Sequence, residues 1–208
     1  MGLSLLFALA CSPEHRGALP TSLRLDTLAV PGAEVHWYEV AGGTRTEILE
    51  SLLRHSPEAG IGAHVAASTN WQVSWSLSQD DDGNCRADKP ATVQKDVRVE
   101  LPAWSVPPTA SQADEQQWMT YLRALAAHES GHVVRINSAA DALGSEVTGP
   151  TCDDANAAGY QALDALEAAN IDYDEVTQYG ATQGVDFWSG AALDLDSALL
   201  RHVATTVE

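Results

Sequence analysis

The chain has 208 residues, and 29 acidic against 11 basic side chains leave it a formal charge of −18. Its hydrophobic fraction of 45% is enough for one core, at a length where one domain is the default. So acidic a surface excludes nucleic acid and anionic lipid as main partners, since both would be repelled.

The first ten residues, Met1 to Ala10, are almost wholly apolar and are followed by Cys11. The run is too short to span a bilayer, which needs roughly 20 residues, but it suits the apolar region of a secretory signal. The stretch Ala8 to Cys11 resembles the lipobox of bacterial lipoproteins, where cleavage precedes a cysteine that is then acylated. Residues 1–22 are therefore expected to be a leader and polar tether, with membrane attachment through a lipid on Cys11. Residues 23–208 are expected to form one domain, a monomer of the bacterial cell envelope or its exterior.

Val35 to Val40 is a β-rich run ended by Gly42 and Gly43. Thr44 and Glu47 then stand at capping-box spacing, and Ile48, Leu49, Leu52 and Leu53 form the stripe of a helix ending near Pro57. Trp71, Val73, Trp75 and Leu77 alternate with polar residues as a strand does. Asp80 to Asn84 reads as a solvated turn, without the spacing of an EF-hand calcium loop, and Val97, Val99 and Leu101 alternate again before Pro102. Ser111 and Asp114 open a long helix carrying Trp118, Tyr121, Leu122, Leu125, His132 and Ile136, with a stop expected at Gly144. A second, Ala-rich helix is expected from about Asp153 to Asn170, and a loop from Tyr173 onward, with a short helix through Leu199. This order predicts an α+β fold, a small antiparallel sheet packed on the long helix, with further helices toward the C-terminus.

Cys85 follows a turn and Cys152 lies between two helical patterns. In an oxidising envelope the pair left after Cys11 reads as one disulfide, Cys85 to Cys152. Cys-x-x-Cys spacing is absent, which argues against a structural zinc cluster.

The long helix contains His128-Glu-Ser-Gly-His132. Four residues of separation put two imidazoles roughly 40° apart around a helix and about 6 Å apart along it, aimed at one metal ion. The expected ion is zinc, which polarises a scissile carbonyl and lowers the pKa of its water toward ~7. Glu129 is placed to take that water's proton as general base. The plain alternative is a pair of helix histidines without a metal. A metzincin extension is missing, because Arg135 and Ser138 stand where its Gly and third His belong. Glu167 and Asp164 are candidate carboxylate ligands on the following helix, with a solvated helix face as the competing reading.

The ordered set of Trp71 and Trp75, Cys85, Leu101 to Trp104, Trp118 and His-Glu-x-x-His resembles the predicted secreted zinc-dependent proteases of bacteria, a family catalogued mainly as a domain of unknown function. The likeness takes in Tyr38 to Val40, Gly43-Thr44 and the tail Tyr173 to Gly184, and so covers roughly residues 35–185. It implies a metallopeptidase acting on peptide or protein substrates. In that family the tail reads Tyr-Asp-x-x-Thr-x-His-Gly, with its His a natural third ligand. Tyr179 occupies that place here, so the expected metal ligands are His128, His132 and Tyr179, with Asp174 as fallback. The substitution sets two readings side by side, an active zinc peptidase and a degenerate, non-catalytic envelope lipoprotein.

Overall fold

The computed structural model describes residues 21–23, 29–56 and 66–185. Cys11, the leader and the helix expected near Leu199 lie outside these residues. The strands are β1 (Thr21–Leu23), β2 (Glu34–Ala41), β3 (Ser68–Ser76), β4 (Ser78–Gln79), β5 (Cys85–Arg86) and β6 (Thr92–Val106). The helices are α1 (Arg45–His55), α2 (Gln112–Glu146) and α3 (Cys152–Thr177), followed by a 3-10 turn at Ala181–Gln183. The α+β expectation holds, with a small sheet packed on the helix that bears His128 and His132. Among the described residues no helix is long and apolar enough to cross a membrane.

Strand β6 is the centre of the sheet. On one edge it pairs antiparallel with β3, in the register Trp71 with Val97 and Trp75 with Val93, and further along with β1. On its other edge β2 runs parallel, Glu34 facing Arg98 and Ala41 facing Ser105. The sheet is therefore mixed rather than antiparallel as expected, and the long connection that a parallel pair requires runs from α1 through β5. Strand β6 also continues through Pro102, which had marked its expected end. The proline stands between the last β3 pairing at Glu100 and the first β1 pairing at Trp104, a gap where that edge makes no ladder bonds among the described residues.

Helix α1 starts where the sequence places it. The Thr44 hydroxyl accepts from the Glu47 amide at 3.3 Å, and the Glu47 carboxylate accepts from the Thr44 amide at 3.0 Å. Helix α2 has the same box at Ser111 and Asp114. It runs on past Gly144 by two residues. The buried stripe of α2 joins Val40, Val99, Leu101 and Trp104 of the sheet in one core. Trp104 and Trp118 are both buried, with ring centroids 5.8 Å apart, and the Trp104 indole donates to Gly42 O at 3.0 Å.

Asp80 shapes the expected turn by accepting from the amides of Asp82 and Asn84 at 3.1 and 2.8 Å. The turn closes the short β4–β5 ladder, an excursion between the two long strands. Cys85 in β5 and Cys152 at the start of α3 form the expected disulfide, with Cα atoms 6.4 Å apart. It ties this excursion to the helix behind α2.

Candidate metal centre

Helix α3 runs to Thr177, seven residues beyond the end expected from its Ala-rich pattern. Asp174 therefore lies on a helix, one turn after Asn170 and on the same face, rather than in a loop. That face lies against α2 at the point where His128 and His132 emerge. His128, Glu129 and His132 are all buried.

His128 Nε2 is 3.1 Å from Asp174 Oδ1, and His132 Nε2 is 3.0 Å from the same oxygen. The two imidazoles stand nearly perpendicular, with centroids 5.0 Å apart. One donor atom from each of the three residues falls within 4.8 Å of every other. Ligands at about 2.0–2.2 Å from a tetrahedral zinc stand roughly 3.3 Å from one another, so the spacing suits one ion. Two imidazole nitrogens and one carboxylate oxygen are also a normal zinc donor set. The residues fit the metal.

Each ring turns its other nitrogen to an amide oxygen. His128 Nδ1 is 2.9 Å from Gln183 Oε1, and His132 Nδ1 is 2.9 Å from Asn170 Oδ1. Tyr173 stacks on His128, with an interplanar angle of 13°, and carries the Arg135 guanidinium 3.7 Å from its ring centre. This stacking explains Gly131. A Cβ there would run into the Tyr173 hydroxyl, so the close approach that the glycine permits is to α3 rather than to a strand.

The expectation for Tyr179 is overturned. Its side chain is 69% exposed and stays outside the donor cluster, which is completed by Asp174. The reason lies in the backbone. Gln178 and Tyr179 adopt φ of 51° and 53°, a left-handed turn that ends α3 and leads the phenol to the cavity rim. Gly180 continues the turn at φ 83°, where a Cβ would sit 3.1 Å from the His128 ring. A missing histidine at position 179 is thus no reason to doubt activity. Glu167 lines the cavity but is outside the donor cluster, and Asp164 is an exposed helix residue outside both.

Glu129 lies beside the donors on the same cavity. The Thr69 hydroxyl donates to its Oε2 at 2.6 Å, which joins β3 to the face of α2 that bears the histidines. Burial pushes the Glu129 carboxyl above its ordinary range, opposed by the Thr69 hydrogen bond and by His132 and His128. The cavity has a volume of about 950 Å³. Leu49, Leu52 and Leu53 of α1 and Leu125 and Ile136 of α2 supply its apolar wall, and residues 68–71 of β3 its polar one. Sequence reasoning missed Thr69, Asn170, Tyr173 and Gln183. Tyr173 and Gln183 lay within the tail that carries the resemblance, without a role assigned, and Asn170 carried a signal of spacing, since it stands four residues before Asp174 as His128 does before His132.

The fold and these donors define an α+β domain with a His-His-Asp candidate metal site, consistent with a zincin-like centre. The family model described as "Bacterial protein of unknown function (DUF922)" matches residues 35–180, most of the chain, and the protein belongs to that family. No curated protein and no solved structure gives a significant match.

Proposed function

We propose that the protein is a zinc metallopeptidase of the bacterial cell envelope or its exterior. The observation that carries this reading is a three-donor metal site with a buried carboxylate beside it, open to a cavity of about 950 Å³. A structural zinc is closed by four protein ligands and needs no adjacent base, whereas a catalytic one keeps a position free. A zinc ion held by His128, His132 and Asp174 supplies Lewis acidity for a carbonyl group and for water. Glu129 takes the proton of the attacking water and passes it to the leaving amine. Thr69, by donating to one carboxylate oxygen, leaves the other to accept that proton.

The cavity wall supports a peptide as substrate. Residues 68–71 of β3 line it, and among the described residues β3 pairs along one edge only. Its free edge offers backbone donors and acceptors to an extended chain. Among the described residues the lining contains Glu129, Glu167 and Asp174 but neither Lys nor Arg, which favours neutral or basic peptides. The disulfide supports an oxidising compartment. The degenerate, non-catalytic reading rested on Tyr179 and loses that support.

The decisive variant is Glu129→Gln. It should bind zinc like the parent and lose roughly 10²–10⁴-fold in casein or peptide hydrolysis, because an amide takes no proton. Chelation should silence the parent, and zinc should restore it. Parent-like turnover in Glu129→Gln would sink the assignment.

A further inference from the structure

We propose that Asn170 and Gln183 are positioning residues that lock His132 and His128 in the tautomer with a proton on Nδ1 and a lone pair on Nε2, and that Tyr173 fixes the sense of the Gln183 amide. This rests on reading His128, His132 and Asp174 as a metal centre.

The tautomers follow from which atoms only accept. Asn170 Nδ2 lies 3.1 Å from Leu166 O, a carbonyl, so the amide must point its NH2 there. Its oxygen then faces His132 Nδ1 at 2.9 Å, and that nitrogen has to donate. On the other ring the chain of reasoning is one step longer. The Tyr173 hydroxyl has a single proton, given to His128 O at 3.2 Å or to Gln183 Oε1 at 3.3 Å. Giving it to His128 O, a carbonyl that only accepts, leaves the hydroxyl oxygen to accept from Gln183 Nε2 at 2.9 Å. The Gln183 oxygen is thereby turned to His128 Nδ1, 2.9 Å away. Both Nε2 lone pairs then point at the side of Asp174 where an ion would sit.

The choice of amides has a chemical consequence. Partners of metal-binding histidines are often carboxylates, which make the imidazole a stronger donor and add negative charge. Amides fix the same tautomer without the charge. With Asp174 as the single anionic ligand, a divalent ion keeps a net positive charge and polarises its surroundings more strongly. Gln183 lies three residues beyond the family match, on the exposed 3-10 turn, so this half of the lock comes from a segment outside the helical frame.

The test compares Gln183→Leu, which accepts no hydrogen bond, with Gln183→Glu, which does. For the spectra Asp174→Ala is made in parent and variants alike, so that no carboxylate 3.0–3.1 Å away accepts from Nε2–H. Long-range nitrogen–proton correlation spectra of the metal-free chain with labelled histidine, at alkaline pH where imidazole is neutral, then report each tautomer directly. Zinc affinity is read with Asp174 in place. The parent should show Nδ1–H on both rings. Gln183→Leu should show mixed tautomers at His128 alone, with zinc affinity in chelator competition reduced ~10–100-fold. Gln183→Glu should restore the tautomer and bind zinc at least as tightly as the parent. An unchanged His132 signal reports that the Leu variant is folded. An Nε2–H tautomer at His128 in the parent, or an unaltered tautomer in Gln183→Leu, would overturn the lock. If the parent bound no zinc the metal reading would fall, and the spectra would still decide the lock.

Discussion

His132 and His128 are equivalent in the sequence and are held by different kinds of structure. His132 finds Asn170 and Asp174 one turn apart on α3, a regular helix whose rise and twist set both positions at once. His128 finds Gln183 only after the chain has left α3, passed through two left-handed residues and Gly180, and folded back in a 3-10 turn. One half of the centre is a product of helix geometry. The other half depends on a turn whose conformation many local interactions must agree upon, such as Gly180 N donating to Thr177 Oγ1 at 3.3 Å and Gln183 N to Gly180 O at 2.8 Å. Failure of the helical half should remove the ion, and failure of the turn should only weaken its hold.

The largest effect is therefore expected at Asp174. Asp174→Ala removes the one ligand oxygen shared by both histidines and should cost more than the ~10–100-fold typical of an outer partner. Tyr179→Phe should leave affinity unchanged, because the phenol is exposed on the rim. Zinc titration of the two variants against the parent separates them, and a loss in Tyr179→Phe equal to that in Asp174→Ala would break the assignment of the third ligand.

The next effect tests the helical frame without touching the ion. The disulfide joins residues 67 apart, and replacing both cysteines by serine should destabilise by about 4 kcal/mol in the chain-entropy model, or lower Tm by roughly 10 °C. The folded fraction should still bind zinc as the parent does, since Cys152 is at the opposite end of α3 from Asp174. A lost site in otherwise folded protein would show that the bridge sets the position of α3 along α2.

The same division explains what was legible in the sequence. Caps, apolar stripes and strand alternation are short-range patterns, and Thr44, Ser111 and Trp71 to Trp75 signalled their elements through them. His-Glu-x-x-His was legible for the same reason, as a spacing on one helix. The third ligand was legible only as the fallback, Asp174 behind Tyr179, because Tyr173 to Thr177 carries no apolar stripe of its own and continues α3 with Tyr173 packed on His128. Helix continuation there is a tertiary effect, and it moved Asp174 from the expected loop to the ligand position. Pro102 misled in the opposite direction, since a proline that usually ends a strand is harmless where its edge, among the described residues, makes no ladder bonds.

A smaller effect probes the contact between the two regions. Gly131→Ala would gain about 1 kcal/mol in helix propensity, but its methyl would displace the Tyr173 ring, and overpacking of this kind costs about 1–3 kcal/mol. The second term should win, with a lower denaturation midpoint and weaker zinc binding through Tyr173 and Gln183. A stabilised variant with parent affinity would mean that Tyr173 moves aside freely and takes no part in holding His128.

The smallest effect is expected at the far end of α2, where the frame can be perturbed with the centre left intact. Ser111 holds the Asp114 carboxyl below its ordinary range, its hydroxyl donating at 2.6 Å and its amide at 3.1 Å. A carboxylate with a lowered folded pKa contributes stability above its unfolded value, ~3.9, and loses that contribution as pH falls through the folded value. Asp114→Asn should therefore melt slightly below the parent at neutral pH, and the gap should close in acid as the parent's carboxylate is protonated. The group is fully exposed, so salt should narrow the gap as well. Zinc affinity should not move, because Asp114 lies about four turns of α2 before His128. A gap that persisted unchanged in acid would mean that the cap acts through the shape of the side chain rather than its charge.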